Sequence, residues 1–219
     1  MTSPTENRTY LDWNATAPLR PDARAAMLAA MDAVGNPSSV HAEGRAAKAI
    51  IEKARGQVAS LVGCEPGEVV FTSGATEAAV TACNQAFMGE VVQSAIEHAS
   101  VWEMRWIDLQ LHLDSSGRIC LGDRFLIEVV SELGHCDRIA VQSANSETGV
   151  VQQVAALASE ARAGIKIAKR HSGGAGGVRI LSDIVQSAGK QIIDFRSLGV
   201  DFAMISACGT SPTVKNPAW

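Results

Sequence analysis

Val69-Val70-Phe71-Thr72-Ser73-Gly74-Ala75-Thr76-Glu77-Ala78-Ala79-Val80 changes its period part-way through. The apolar run Val69 to Phe71 predicts a short strand, Thr72 to Gly74 a turn, and Ala75 to Phe87 a helix that Gly89 closes. In a strand–turn–helix unit the first helical N–H groups and the positive end of the helix dipole face outward from the sheet. Ser73 to Thr76 therefore reads in two ways, as a turn that only caps a helix or as a cradle for a phosphate.

Upstream of this unit the period is helical. Met27, Leu28 and Met31 recur at helical spacing in the alanine-rich stretch Asp22 to Val34, which Gly35 stops. Ser38 and Ser39 are the expected caps of a second helix through Ala46 to Leu61, with Ile50, Ile51, Val58 and Leu61 on its apolar side and Gly63 at its end.

Downstream, strand and helix alternate. Strands are expected at Val91–Ile96, Leu109–Leu113, Arg138–Ser143, Val178–Ser182 and Phe202–Ile205, and helices at Ser100–Ile107, Phe125–Leu133 and Val151–Ala168. Alternation of this kind implies right-handed crossovers and an α/β fold: a mostly parallel sheet covered by helices on both faces, in three layers. Ligands in such sheets lie beyond the C-terminal ends of the strands, which makes the strand-closing residues the ones to inspect.

Composition narrows the function classes. A net charge of -4 with no basic cluster argues against a nucleic-acid partner, and 47% hydrophobic residues allow a sizeable core. The polar Met1–Arg8 lacks the apolar stretch of a signal peptide, and no apolar run approaches the ~20 residues of a membrane span, so a cytoplasmic chain with no membrane partner is expected. Five scattered cysteines without a CxxC spacing argue against a disulfide framework or a metal site.

Two strand ends carry chemistry. His98 follows Val91–Ile96, where an imidazole could stack on a flat ring or remain an ordinary polar loop residue. Asp183 closes Val178–Ser182 with Gln186 three residues on. That carboxylate could face a protonated pyridine nitrogen, with Gln186 reaching the ring hydroxyl, or it could cap the next helix.

Six segments together carry a resemblance. They are Tyr10–Thr16 (YLDWNAT), Asn36–His41 (NPSSVH) with Gly44-Arg45, Phe71–Ala78 (FTSGATEA), Ile96–Val101 (IEHASV), Asn145–Gly149 (NSETG) and Asp183–Lys190 (DIVQSAGK). In this order the chain resembles the NifS/IscS-like cysteine desulfurases, within the class V aminotransferase group of fold type I pyridoxal-phosphate enzymes. The resemblance implies that Ala75, Thr76 and Ser206 bind the phosphate of pyridoxal 5'-phosphate. It also implies that His98 stacks on the ring and serves as a proton-transfer candidate, that Asp183 pairs with the ring nitrogen, and that Gln186 touches the ring oxygen. Asn14, Asn145 and Ser146 would lie toward the substrate. L-cysteine would be that substrate, leaving alanine and an enzyme-bound persulfide for a sulfur acceptor or Fe–S scaffold protein, and the family implies a homodimer.

Three departures qualify this. Ser146 stands where the family has a second asparagine, and its shorter side chain reaches less far. His171-Ser172-Gly173-Gly174-Ala175-Gly176-Gly177 reads as a glycine-rich insertion, expected to form a loop. The segment Ser206-Ala207-Cys208-Gly209 places glycine where the family has its Schiff-base lysine, leaving Lys215 as the tail's one lysine. The expected layout is an N-terminal arm (1–20), a partial cofactor-binding large domain (21–206) and an aberrant tail (207–219), with the family's small C-terminal domain and its persulfide cysteine absent. The cofactor would then be held weakly and without a covalent bond. Alternatives are another class V activity, such as a selenocysteine lyase or an aminotransferase, and a non-catalytic partner that dimerises with a full-length paralogue through His41–Ala59.

Overall fold

The computed structural model describes residues 9–84, 90–102, 110–122, 136–172 and 178–207. At its centre is a sheet of five parallel strands: β1 (Glu90–Ser94), β2 (Gln110–Leu111), β3 (Cys136–Gln142), β4 (Arg179–Asp183) and β5 (Phe202–Met204). Their spatial order is β2-β1-β3-β4-β5. The register sets Val92 beside Ile139, Ile139 beside Ile180, Gln142 beside Asp183, and Asp183 beside Met204. The three-layer α/β expectation holds.

Strand periodicity explains the layers. Val92, Ile139, Val141 and Ile180 project to one face, where they bury Val154, Leu157, Ala158 and Ala161 of the long helix Val154–Ser172. Val91, Ala140 and Met204 project to the other face, against Ala79 of helix Ala75–Asn84 and Val101 of helix Ala99–Trp102. Each fully buried Ile, Leu or Val contributes roughly 1.5–3 kcal/mol, so the first cluster is the main stabilising body of the chain.

In chain order the helices are α1 (Pro21–Met31), α2 (Ala42–Val62), α3 (Ala75–Asn84), α4 (Ala99–Trp102), α5 (Val154–Ser172) and α6 (Phe195–Leu198). Several expectations need correction. Val69–Phe71 forms no strand, because no neighbour supplies a ladder to it; Val70 is 75% exposed, the Val69 carbonyl accepts from Arg55 Nη1, and the Arg55 guanidinium lies 5.1 Å from the Phe71 ring centre. Ser38 and Ser39 do not cap α2. Their N–H groups donate to Asn36 Oδ1 and Asn36 O, each at 2.9 Å, and His41 takes the cap position, accepting from Gly44 N at Nδ1. The apolar side of α2 is only partly covered: Ala59 and Val62 are buried, while Ile50 is 42% exposed. Helix α1 stops at Met31 instead of Val34 and buries none of its residues.

The short helix α6 was not expected from the sequence. Asp194 accepts from Arg196 N at its start and Gly199 (φ +67°) ends it, which packs two terminal signals into four residues. Expected helix 125–133, glycine-rich segment 173–177 and tail 208–219 lie outside the described residues. Among the described residues no helix is long and apolar enough to cross a membrane.

Candidate cofactor site at the C-terminal edge of the sheet

Parallel strands bring their C-terminal ends to one edge, and most of the expected site residues fall there. Asp183 ends β4, His98 lies four residues beyond β1, and Ala75 and Ala78 of α3 pack against the cluster that holds Val101, Ala140 and Met204.

Asp183 is buried, 8% exposed. Its Oδ1 accepts from Val185 N at 2.9 Å, and its main-chain oxygen accepts from Ser143 N (2.7 Å) and Ser143 Oγ (3.1 Å). Burial pushes its carboxyl up from the ordinary value, while the Val185 hydrogen bond and the nearby His98 imidazole pull it back down. A half-satisfied carboxylate in such surroundings is stabilised by a cation placed against it.

His98 directly precedes α4, its carbonyl accepting from Val101 N and Trp102 N at 2.8 and 2.9 Å. Ser100 N donates to Nδ1 at 3.2 Å, and Ser100 Oγ lies 2.9 Å from the same nitrogen. The ring itself is exposed and lies within electrostatic reach of Asp183.

At the start of α3, Glu77 folds back to accept from Ser73 N at 2.6 Å, and Thr72 Oγ1 donates to Gly74 O at 2.9 Å. The turn thus caps its helix through Ser73 and Glu77. The N–H groups of Ala75 and Thr76 hold no hydrogen bond among the described residues, and a side-chain carbon added at Gly74 would meet nothing within 4 Å. Ser206 is half-buried, two residues beyond β5.

A second group gathers around the arm. Asn14 Nδ2 donates to Ser146 O at 2.9 Å, Gln186 Nε2 donates to Asn14 O at 3.2 Å, and Lys190 Nζ reaches Asn14 Oδ1 (2.9 Å) and Gln186 Oε1 (2.5 Å). Partial burial draws the Lys190 amine below its ordinary value. Asn145 closes its own turn, with Oδ1 accepting from Glu147 N, Thr148 N and Thr148 Oγ1, and also ties that turn to the segment after β1, with Nδ2 donating to Ile96 O at 3.2 Å. Lys190 was given no role by the sequence reading; its spacing of four residues from Gln186 was the available signal. Glu97 has no role in the sequence reading either, and its burial among Ser94, Gln142 and Asp183 is set in large part by residues distant in the chain.

The class V aminotransferase model matches residues 9–208, the whole described sheet included. The chain belongs to the class V aminotransferase family. Among its relatives, a cysteine desulfurase of Cereibacter sphaeroides is 36% identical over 91% of this chain and 51% of its own length. A selenocysteine lyase of Bos taurus is 34% identical over 93% of this chain and 53% of its own. A NifS-like protein from Rickettsia africae superposes with a TM-score of 0.77 at 30% identity, over 91% of this chain and 54% of the other. This class V chain therefore spans about half the length of the relatives it matches. Their shared fold is the parallel sheet with flanking helices described above.

The donor set fits pyridoxal 5'-phosphate, the group on which the resemblance to cysteine desulfurases rests. Among the described residues, Asp183 offers a buried carboxylate with one side-chain hydrogen bond, α3 offers free N–H groups at an open turn, and His98 offers an exposed ring between them in the chain's path.

Proposed function

We propose that this chain is the cofactor-binding half of a cysteine-desulfurase-like enzyme, which holds pyridoxal 5'-phosphate at the C-terminal edge of its sheet. The observation that carries the reading is Asp183: a buried carboxylate with a single side-chain hydrogen bond, placed where a parallel sheet receives ligands. Bound there, the cofactor's ring supplies an electron sink for the α-carbon of an amino acid.

The chain's own residues have separable tasks. Asp183, kept unprotonated by a cation against it, holds the proton on the ring nitrogen. Ala75 and Thr76 donate backbone N–H groups to the phosphate, with the Thr76 and Ser206 hydroxyls beside them. His98 covers one ring face and can carry a proton on Nε2. Gln186, already tied to Asn14 and Lys190, faces the ring hydroxyl. On the family pattern the substrate is L-cysteine, whose sulfur leaves as a persulfide for an acceptor protein; a selenocysteine substrate is the alternative that the mammalian relatives favour. Asn14, Asn145 and Ser146 border that position. Ser146 in place of asparagine weakens the grip on substrate, and Gly209 in place of the lysine leaves the cofactor without a covalent anchor.

Titration with pyridoxal 5'-phosphate, followed by borohydride reduction and intact mass, tests this. Saturable absorbance and fluorescence changes are expected, weakened by about tenfold or more in Asp183→Asn, since a hydrogen bond to a charged partner is worth ~1.5–3 kcal/mol. No reduced lysine adduct should appear. Equal affinity in Asp183→Asn removes the assignment, and a single-lysine adduct removes the non-covalent reading.

A second reading is favoured by the apolar surface of the N-terminal half. Ile50, Ile51, Ala54 and Val69–Phe71 line an open groove on α2, the surface a non-catalytic partner of a full-length relative would use. Co-purification with such a relative supports it, and a strictly monomeric chain opposes it.

A further inference from the structure

The residue before His98 has a buried acid that none of these roles uses. Glu97 is 9% exposed, and its Oε1 takes two contacts: Ser94 Oγ at 2.5 Å and Gln142 N, which donates at 3.0 Å. Its other oxygen, Oε2, is buried and has no hydrogen-bond partner among the described residues. The preceding carbonyl, Ile96 O, accepts from Gln142 Nε2 and from Asn145 Nδ2 at 3.2 Å. Residues 96 and 97 are therefore fastened by two hydrogen bonds or close polar contacts to Gln142 at the end of β3, by one to Asn145 in the turn beyond it and by one to Ser94 of β1, none of which involves His98 directly.

No cation stands against this acid among the described residues. The groups that face it are Ser94 from β1, Gln142 from β3, the carboxylate of Asp183 from β4, and, next in the chain, the His98 imidazole that itself lies toward Asp183. An ionised Glu97 would leave an anionic oxygen bare in a buried place beside a second carboxylate, an arrangement that costs several kcal/mol. A neutral acid removes that cost. Oε1, as the carbonyl oxygen, goes on accepting from Ser94 Oγ and Gln142 N, and the proton sits on Oε2, where a neutral O–H is cheaper to leave unsatisfied than an anionic oxygen.

We propose that Glu97 is a positioning residue, an uncharged buried acid that pins the 96–98 segment to the end of β3 and thereby fixes where the His98 ring projects over the sheet edge. Burial, opposed by the Ser94 and Gln142 contacts and reinforced by Asp183, pushes the Glu97 carboxyl up to about 8, in keeping with that neutral form. The value of a fixed His98 for holding a ring rests on the function proposed above. The latch itself does not, and it is measurable on the full chain with no cofactor present.

The experiment follows the His98 ring resonances by NMR, assigned with His98→Gln, in the wild type, Glu97→Gln and Glu97→Ala, alongside urea midpoints from pH 4.5 to 9. A neutral isostere should serve: Glu97→Gln keeps the His98 resonances and their titration curve, and Glu97→Ala displaces both. The wild type should lose stability as pH rises through this range, because the unfolded acid ionises near its ordinary 4.5 and the folded acid near 8; Glu97→Gln should lose this part of the slope. Parallel midpoint curves for wild type and Glu97→Gln would mean an ionised Glu97 and overturn the proposal. So would His98 resonances that move as far in Glu97→Gln as in Glu97→Ala. If Glu97→Ala does not fold, Glu97→Asp shortens the reach by one methylene and should displace the His98 resonances; unchanged resonances there also overturn the latch. Failure to bind pyridoxal 5'-phosphate affects none of these readouts, so the two ideas stand or fall separately.

Discussion

The sheet half and the N-terminal half of this chain carry equally plain patterns and meet different ends. Between β1 and β5, alternating residues such as Val92, Ile139 and Ile180 are fully buried on both sides of a register that leaves no choice of face. Between Thr9 and Phe71, α1 buries nothing, and Leu11, Val34, Val40 and Val70 lie more than three-quarters exposed or close to it. Periodicity states that a face is suited to burial. It does not state what buries it.

Breaking the sheet half should have the largest effect. Ile139→Ala removes a side chain packed on all sides between β1, β4 and α5, and should cost about 2–5 kcal/mol, read as a lower urea midpoint with an unchanged slope. A loss below about 1 kcal/mol would put this cluster on a level with the N-terminal half and dissolve the contrast.

A pH series sharpens the same contrast. Burial raises the carboxyls of both Glu97 and Asp183 at the sheet edge. Each holds its proton in the folded chain after the unfolded chain has lost it, so the stability they contribute is full at acid pH and falls as pH rises toward 8 for Glu97. For Glu97 the expected fall is on the order of a few kcal/mol, Asp183 adds to it in the same direction, and it should be absent from Glu97→Gln/Asp183→Asn.

Gly44→Ala probes a tight place in the N-terminal half. A side-chain carbon there would meet Ser39 O at 2.4 Å and Asn36 O at 2.7 Å, both backbone atoms, so the Asn36–Ser39 turn must move. A cost of about 1–3 kcal/mol is expected, with lost protection of the Ser39 and Arg45 amides in hydrogen exchange.

The smallest effect is expected on α1. Met31→Ser changes a residue that is 72% exposed and should alter stability by no more than about 0.5 kcal/mol. A larger loss would show that α1 has a partner in solution, and the drop in midpoint should then depend on protein concentration.

Much of the site was legible because its signals are local. A strand run ending in Ser182-Asp183, a Ser-Gly turn opening a helix at Ala75, and a histidine beyond β1 can each be read from a few neighbours, and a parallel sheet gathers strand ends at one edge without further instruction. Glu97 and Lys190 were not legible in this way. Glu97 acquires its meaning from Gln142, 45 positions away, and Lys190 from Asn14, 176 positions away.

The sequence by itself determined the α/β alternation, the buried faces of β1, β3 and β4, and the class V resemblance, since each depends on spacing within one segment or on motif order. Tertiary structure alone decided that Val69–Phe71 stays out of the sheet, that His41 caps α2, and that α1 is left uncovered. A strand needs a hydrogen-bonding neighbour and an apolar face needs an opposing surface, and those partners come from chain segments that no local pattern can specify.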